Sequence, residues 1–190
     1  MNRRQFLTGL AATLPIIAQA GPSIPKQGGL IHLAGIHDRH DPVDRTMTVF
    51  NMHTQERETV TFFSGHSYVE SELEVLSKLM RDHRTGEHIE MDRRLILMLH
   101  DLLAKTESKT EIHVLSGYRS EKTNERLRKT TSGVAKHSYH TKGQALDIKI
   151  PDVRLSHLSK AARAARKGGV GYYPDSGFIH IDTGRLRFWS

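Results

Sequence analysis

Alternating apolar and polar residues predict the first strands of the fold. Met47, Val49 and Asn51 share one face of a strand over residues 47–53, because successive side chains of a strand point to opposite faces. A polar break at 54–57 and a second strand over 58–63 complete a predicted β-hairpin.

Apolar residues elsewhere recur at steps of three or four, the spacing of a helix that buries one face. Asp92 and Ser120 each precede such a segment and are expected to act as N-terminal caps, whereas Gly168 follows the last one as its stop. The predicted helices cover residues 69–80, 92–103, 121–129 and 155–167.

Three later segments have the composition of strands, namely residues 112–115, 145–150 and 178–182. Residues 168–171 are interpreted as a glycine-rich turn. Because helices come first and strands concentrate late, we predict an α+β fold with a small antiparallel sheet flanked by helices.

The N-terminal segment is typical of an export signal. Arg3 and Arg4 precede a short apolar run over 6–18 and a small-residue cleavage site that ends at Ala20. The paired arginines resemble a twin-arginine signal. We therefore predict a signal peptide at 1–20, a flexible linker at 21–45 and one domain at 46–190, exported to the periplasm.

Composition narrows the choice of partner. The net charge is +7, and it becomes +5 without the two arginines of the leader. Such a charge favours an anionic polymer, but the basic residues are scattered and show no nucleic-acid motif. No apolar stretch is long enough to span a membrane in the mature chain. The absence of cysteine excludes disulfides and thiolate ligands, and cell-wall material is the favoured partner.

The chemistry is expected to centre on His140, Asp147 and His180. Strand alternation places Asp147 opposite the apolar residues of 145–150, and it places His180 opposite those of 178–182. If these strands pair, the two side chains converge, and the preceding loop can return His140 to them. Two imidazoles and one carboxylate suit a zinc ion that keeps a position open for water. In a chain with thirteen histidines, a chance cluster of ordinary polar residues remains the alternative.

Three motifs carry a resemblance to a known family. Residues 138–147 (SYHTKGQALD), 168–173 (GGVGYY) and 178–184 (FIHIDTG) resemble the MepK-type murein endopeptidases. That group is similar to zinc D-Ala-D-Ala carboxypeptidases and shares a fold with lysostaphin-type peptidases and the hedgehog domain. The resemblance implies Zn²⁺ held by His140, Asp147 and His180, and hydrolysis of peptide cross-links in peptidoglycan.

The remaining site residues follow from the same resemblance and from strand faces. Arg119 is expected to hold a substrate carboxylate or the oxyanion, and Ser138 and Tyr139 are expected to contact substrate. Tyr173 lines the groove or, like Tyr172, packs in the core. Asp182 shares a face with His180. It acts as the catalytic base, orients a ligand, or is a structural carboxylate at the end of the strand.

The general base is otherwise open. Related peptidases place an acid shortly before the last zinc histidine, but residues 176–179 supply none, and Phe178 stands where lysostaphin-type relatives have a histidine. Asp175 is a weaker candidate, and His137 is interpreted as a residue at the cleft edge. The alternatives are a catalytically inactive zinc-containing module that binds peptidoglycan, and a D,D- or L,D-carboxypeptidase or amidase. The sequence leaves open which cross-link is cleaved.

Overall fold

The structure is a computed structural model that describes residues 43–131 and 133–190. The predicted signal peptide and most of the predicted linker lie outside these residues, and the first strand begins at Arg45. Within the described part of the chain, no helix is both long and apolar enough to cross a membrane.

Eight strands, four α-helices and one 3₁₀ turn make up the described fold. The strands are β1 (Arg45–Asn51), β2 (Arg57–Ser64), β3 (Ser67–Tyr68), β4 (Ile112–Ser116), β5 (Ala145–Lys149), β6 (Gly169–Tyr173), β7 (Phe178–Asp182) and β8 (Arg187–Trp189). The helices are α1 (Glu70–Leu79), α2 (Arg93–Lys105), α3 (Glu121–Thr130) and α4 (Leu155–Ala165), and the 3₁₀ turn covers Tyr139–Lys142.

The β1–β2 hairpin and both predicted helix caps are confirmed. The Asp92 side chain accepts a hydrogen bond from the Arg94 amide at the start of α2, and the Ser120 hydroxyl accepts one from the Thr123 amide at the start of α3. Such bonds satisfy backbone donors that have no partner inside the helix.

The predicted end of the last helix was wrong by two residues. Helix α4 ends at Ala165 because Arg166 adopts a left-handed conformation with a φ of 51°. Gly168 instead lies against the backbone of β7, where an added Cβ would approach the Asp182 carbonyl oxygen to 1.8 Å. Its lack of a side chain permits the close approach of two strands rather than the end of a helix.

The α+β class is confirmed, but the prediction of a small antiparallel sheet was wrong. All eight described strands form one mixed sheet in the order β3-β2-β1-β4-β5-β7-β6-β8. The β1–β4 and β6–β8 pairs are parallel, and the others are antiparallel. The sequence interpretation missed β6 because glycine is depleted in strands, and it missed β8 because three residues are too few for a pattern.

The sheet has one apolar face and one polar face in its centre. Leu146 and Ile148 of β5 and Ile179 and Ile181 of β7 are buried in a single apolar cluster that also contains side chains of α1, α2 and α4. Because strand side chains alternate, residues 147 and 180 lie on the opposite face. Helices α1, α2 and α4 therefore lie on the side of the sheet opposite to the candidate site.

Candidate metal centre

A single row of residues crosses five neighbouring strands on the polar face. Ser116 pairs with Asp147, Asp147 with His180, His180 with Gly171, and Gly171 with Trp189. The predicted pairing of the strands that carry Asp147 and His180 is confirmed. The two residues lie directly opposite each other, which brings their side chains together on one face.

His140 joins this row from the 3₁₀ turn that precedes β5. Ser138 caps the turn by accepting a hydrogen bond from the His140 amide at 3.3 Å, and Gly143 ends it with a φ of 64°. The buried His140 ring donates from Nδ1 to the Gly117 carbonyl oxygen at 2.8 Å. That bond fixes the tautomer and leaves Nε2 as a hydrogen-bond acceptor.

Three acceptor atoms converge at this point. His140 Nε2 lies 3.3 Å from His180 Nδ1 and 3.4 Å from Asp147 Oδ1, and the last two atoms are 2.9 Å apart. His180 donates from Nε2 to Asp182 Oδ2 at 3.0 Å, so its Nδ1 also carries a lone pair in the neutral ring. Three acceptors without a donor among them fit a cation, and these residues form a group able to hold a metal ion.

The electrostatics of the three residues are strongly coupled. Burial alone would raise the pKa of Asp147, but the His140 and His180 imidazoles hold that pKa below its usual range. Burial likewise lowers the pKa of His180, while Asp147 and Asp182 outweigh it and raise the pKa. The Asp147 carboxylate is therefore held in its ionised form although it is buried.

Asp182 lies behind His180 and outside the cleft. The side chain is completely buried, and its pKa is lowered despite burial by hydrogen bonds from His180, Arg187 and the Gly184 amide. Arg187 donates to both carboxylate oxygens, at 3.0 and 2.7 Å. With both oxygens occupied by protein donors, Asp182 contacts His180 rather than the open site.

A cleft of about 450 Å³ opens over the three acceptor atoms. The predicted site residues that line it, besides the three possible metal ligands, are Arg119, Ser138, Tyr139 and Tyr173. His137 lies at its edge and is exposed, as expected. Tyr172 packs against the core, so the two adjacent tyrosines have different environments.

Arg119 contributes a cationic side chain to the lining of the cleft. It donates to the Ser116 hydroxyl at 3.3 Å and to the Asn124 side-chain oxygen at 3.4 Å. Burial lowers the pKa of Arg119, while Asp147 acts in the opposite direction. The guanidinium stays charged because its ordinary pKa is far above neutrality, and its long hydrogen bonds leave it able to bind an anion.

The turn that carries Arg119 is held in place by hydrogen bonds to Asp82. Asp82 is buried and accepts hydrogen bonds from the Ser120 amide at 2.9 Å and the Ser120 hydroxyl at 2.8 Å. Burial alone would raise the pKa of Asp82, but hydrogen bonds, those from Thr123 and Ser120 among them, lower it to about 2. Gly117 permits this turn to lie close to the backbone of Met80, since an added Cβ at residue 117 would lie 2.2 Å from the Met80 carbonyl oxygen.

The sequence interpretation missed two residues of β8 that reach the site. The Trp189 ring lies 5.3 Å from the His180 ring, and its indole N–H donates to the Tyr173 hydroxyl at 2.8 Å. Arg187 holds Asp182. The Arg187 and Trp189 side chains lie against the two glycines of β6. An added Cβ on Gly169 would meet Arg187 at 2.4 Å, and one on Gly171 would meet Trp189 at 2.6 Å. Alternating glycines in a strand are a signal of such close approach.

Comparison with known proteins agrees with this geometry. Residues 40–189 match the family model described as peptidoglycan L,D-endopeptidase MepK. The chain belongs to this family. The resemblance drawn from the motifs is therefore confirmed.

Individual members of the MepK family align over most of the chain. The chain is 45% identical over 148 residues to peptidoglycan L,D-endopeptidase MepK of Escherichia coli (strain K12), which covers 78% of this chain and 81% of the relative. It is 41% identical over 149 residues to the probable peptidoglycan L,D-endopeptidase MepK of Haemophilus influenzae, covering 78% and 80%.

Proposed function

We propose that this chain is a zinc-dependent endopeptidase that hydrolyses peptide cross-links of peptidoglycan in the periplasm. The relatives are named L,D-endopeptidases, so the cross-link we propose joins an L-configured and a D-configured centre. The observation that carries the proposal is the convergence of three acceptor atoms in one cleft. The proposed route to the periplasm is twin-arginine export, with residues 1–20 as the signal, 21–45 as the linker and 46–190 as the zinc peptidase domain.

The spacing of the proposed ligands suits zinc. Two ligands of a tetrahedral zinc ion at about 2.0–2.1 Å lie roughly 3.3–3.4 Å apart. The two separations from His140 Nε2 are 3.3 and 3.4 Å, and the separation of His180 Nδ1 from Asp147 Oδ1 is shorter, at 2.9 Å. A bound zinc ion lowers the pKa of water and polarises the carbonyl of a scissile bond. His140, Asp147 and His180 are the proposed ligands. The second ring nitrogen of each histidine is hydrogen-bonded, to the Gly117 carbonyl oxygen and to Asp182, which orients the two rings.

Arg119 is proposed to bind the negative charge of substrate or oxyanion. Its guanidinium lines the cleft beside Asp147 and, among the residues that the structure describes, makes two long side-chain hydrogen bonds. A cross-link peptide carries free carboxylates, and a tetrahedral intermediate carries an oxyanion; a guanidinium fork suits both. Ser138, Tyr139 and Tyr173 are proposed to contact the peptide from the cleft walls.

His137 is proposed as the proton acceptor for the attacking water. Among the described residues, Asp147 is the only carboxylate that lines the cleft, and it belongs to the proposed ligand set. Asp182 is completely buried behind His180, which supports an orienting role over that of a base. Asp175 does not line the cleft. An imidazole at the edge of the cleft has the chemistry of a general base.

The decisive experiment compares zinc content and turnover in one preparation. We expect the zinc-loaded protein to contain one zinc ion and to cleave muropeptide dimers that contain an L,D cross-link, with products identified by mass spectrometry. His180→Ala should lose both properties. His157→Ala, which changes an exposed histidine of α4, is the matched control and should retain both.

The products also separate the alternatives. Stoichiometric zinc and muropeptide binding without turnover would identify a non-catalytic binding module. Release of single terminal residues would identify a D,D- or L,D-carboxypeptidase instead. Absence of zinc from the wild-type protein would contradict the proposal itself.

A further inference from the structure

We propose that Arg187 is a positioning residue of the metal centre and acts through Asp182 on the ring of His180. The inference rests on the proposed function because it takes His180 as a metal ligand. Arg187 donates to Asp182 Oδ1 at 3.0 Å and to Oδ2 at 2.7 Å, and Oδ2 also accepts from His180 Nε2 at 3.0 Å. One carboxylate oxygen thus joins the guanidinium to the imidazole.

The Asp182 carboxylate depends on Arg187 for its orientation. Oδ1 also accepts hydrogen bonds from the Gly169 amide at 3.2 Å and the Gly184 amide at 2.9 Å. Oδ2 has only Arg187 and His180 as partners among the described residues. A two-point contact with a guanidinium fixes the plane of a carboxylate. That plane sets the direction of the hydrogen bond from Nε2, and so directs Nδ1 of the same ring towards Asp147.

The guanidinium of Arg187 is itself held in place. It lies over the Tyr139 ring at 5.1 Å and over the Trp189 ring at 4.9 Å from the ring centroids. Gly169 leaves the space for it, since an added Cβ would lie 2.4 Å from Nη1. Lysine lacks both the planar fork and the stacking surface. The surroundings of residue 187 therefore fit arginine better than lysine, although both side chains are positively charged.

Arg187→Met tests this role, with Arg185→Met as the matched control. Arg185 is exposed and lies two residues away in the same segment. The readouts are zinc affinity by chelator competition and the visible absorption spectrum of the Co²⁺-substituted protein, which reports ligand geometry. Partners that orient metal ligands typically contribute about 10- to 100-fold to metal affinity. We expect a loss of that size and an altered Co²⁺ spectrum for Arg187→Met, and no change for Arg185→Met.

The outcomes distinguish this inference from the proposed function. If the wild-type protein binds no zinc, the proposed function fails. If the wild type binds zinc and Arg187→Met has the same affinity and the same Co²⁺ spectrum, Arg187 has only a structural role and the inference is overturned. Should Arg187→Met not fold, Arg187→Lys carries the test, because it keeps the positive charge but removes the two-point contact. Wild-type affinity and spectrum in Arg187→Lys would equally overturn the inference.

Discussion

Replacing Gly171 by alanine tests the packing of the cleft wall. The backbone of Gly171 does not need a glycine conformation, since its φ lies outside the left-handed region. The added Cβ would nevertheless lie 2.6 Å from Trp189 Cε2 and 2.7 Å from both Cζ2 and Nε1. The indole must move, and its hydrogen bond to the Tyr173 hydroxyl must lengthen or break.

The expected cost follows from these contacts. Overpacking by one methyl group costs about 1–3 kcal/mol, so we expect the free energy of unfolding to fall by about 2 kcal/mol. For a domain of this size that corresponds to a decrease in Tm of about 4–8 °C. Thermal and urea unfolding followed by far-UV circular dichroism would measure both quantities.

A double-mutant cycle isolates the contact. Trp189→Ala removes the ring that the new methyl group would meet, so the Gly171→Ala/Trp189→Ala variant should be as stable as Trp189→Ala to within about 0.5 kcal/mol. The reasoning is refuted if Gly171→Ala is as stable as the wild type. It is refuted equally if the costs of the two single substitutions simply add.

Three further outcomes are expected. Arg119→Met should lower kcat/KM by about 10²–10³ with zinc content unchanged, whereas the control Arg128→Met, at an exposed position, should have no effect. If the loss is in kcat, Arg119 binds the oxyanion; if KM rises instead, Arg119 binds a substrate carboxylate. His137→Gln should lower kcat by about 10²–10⁴ with zinc content unchanged, and a kcat equal to that of the wild type would exclude His137 as the base. The lowered pKa of Asp82, about 2, stabilises the fold above about pH 4 and loses that effect as the pH falls towards 2. Asp82→Asn should therefore unfold more easily at pH 7 and show a weaker pH dependence of urea unfolding between pH 4 and 2, and an unaltered dependence would contradict this.

The position of Asp147 and His180 on one face of the sheet could be predicted from the sequence, because it follows from the alternation of side chains along the two strands. Apolar residues at 146 and 148 and at 179 and 181 require Asp147 and His180 to share the opposite face. The alternation could not fix which residue of one strand pairs with which residue of the other. The structure supplies that register, with the two residues directly opposite.

The part of the site formed by β8 was not accessible in this way. Gly169 and Gly171 indicated a turn because glycine disfavours strands, yet both belong to β6 and leave space for Arg187 and Trp189. A three-residue strand that pairs in parallel across a connection has no periodicity of its own. The sequence left the role of Asp182 open, because the complete burial of its side chain is not revealed by the neighbouring residues.

The alignment of β5 with β7 serves the apolar core and the polar cleft simultaneously. Shifting β7 by one residue would turn Ile179 and Ile181 outwards and would place His180 among the aliphatic side chains. A sheet misaligned by one residue would therefore lose its apolar interior and its chemistry together. Metal binding would thus report correct folding of the sheet, because only chains with the native strand alignment bring all three proposed ligands together.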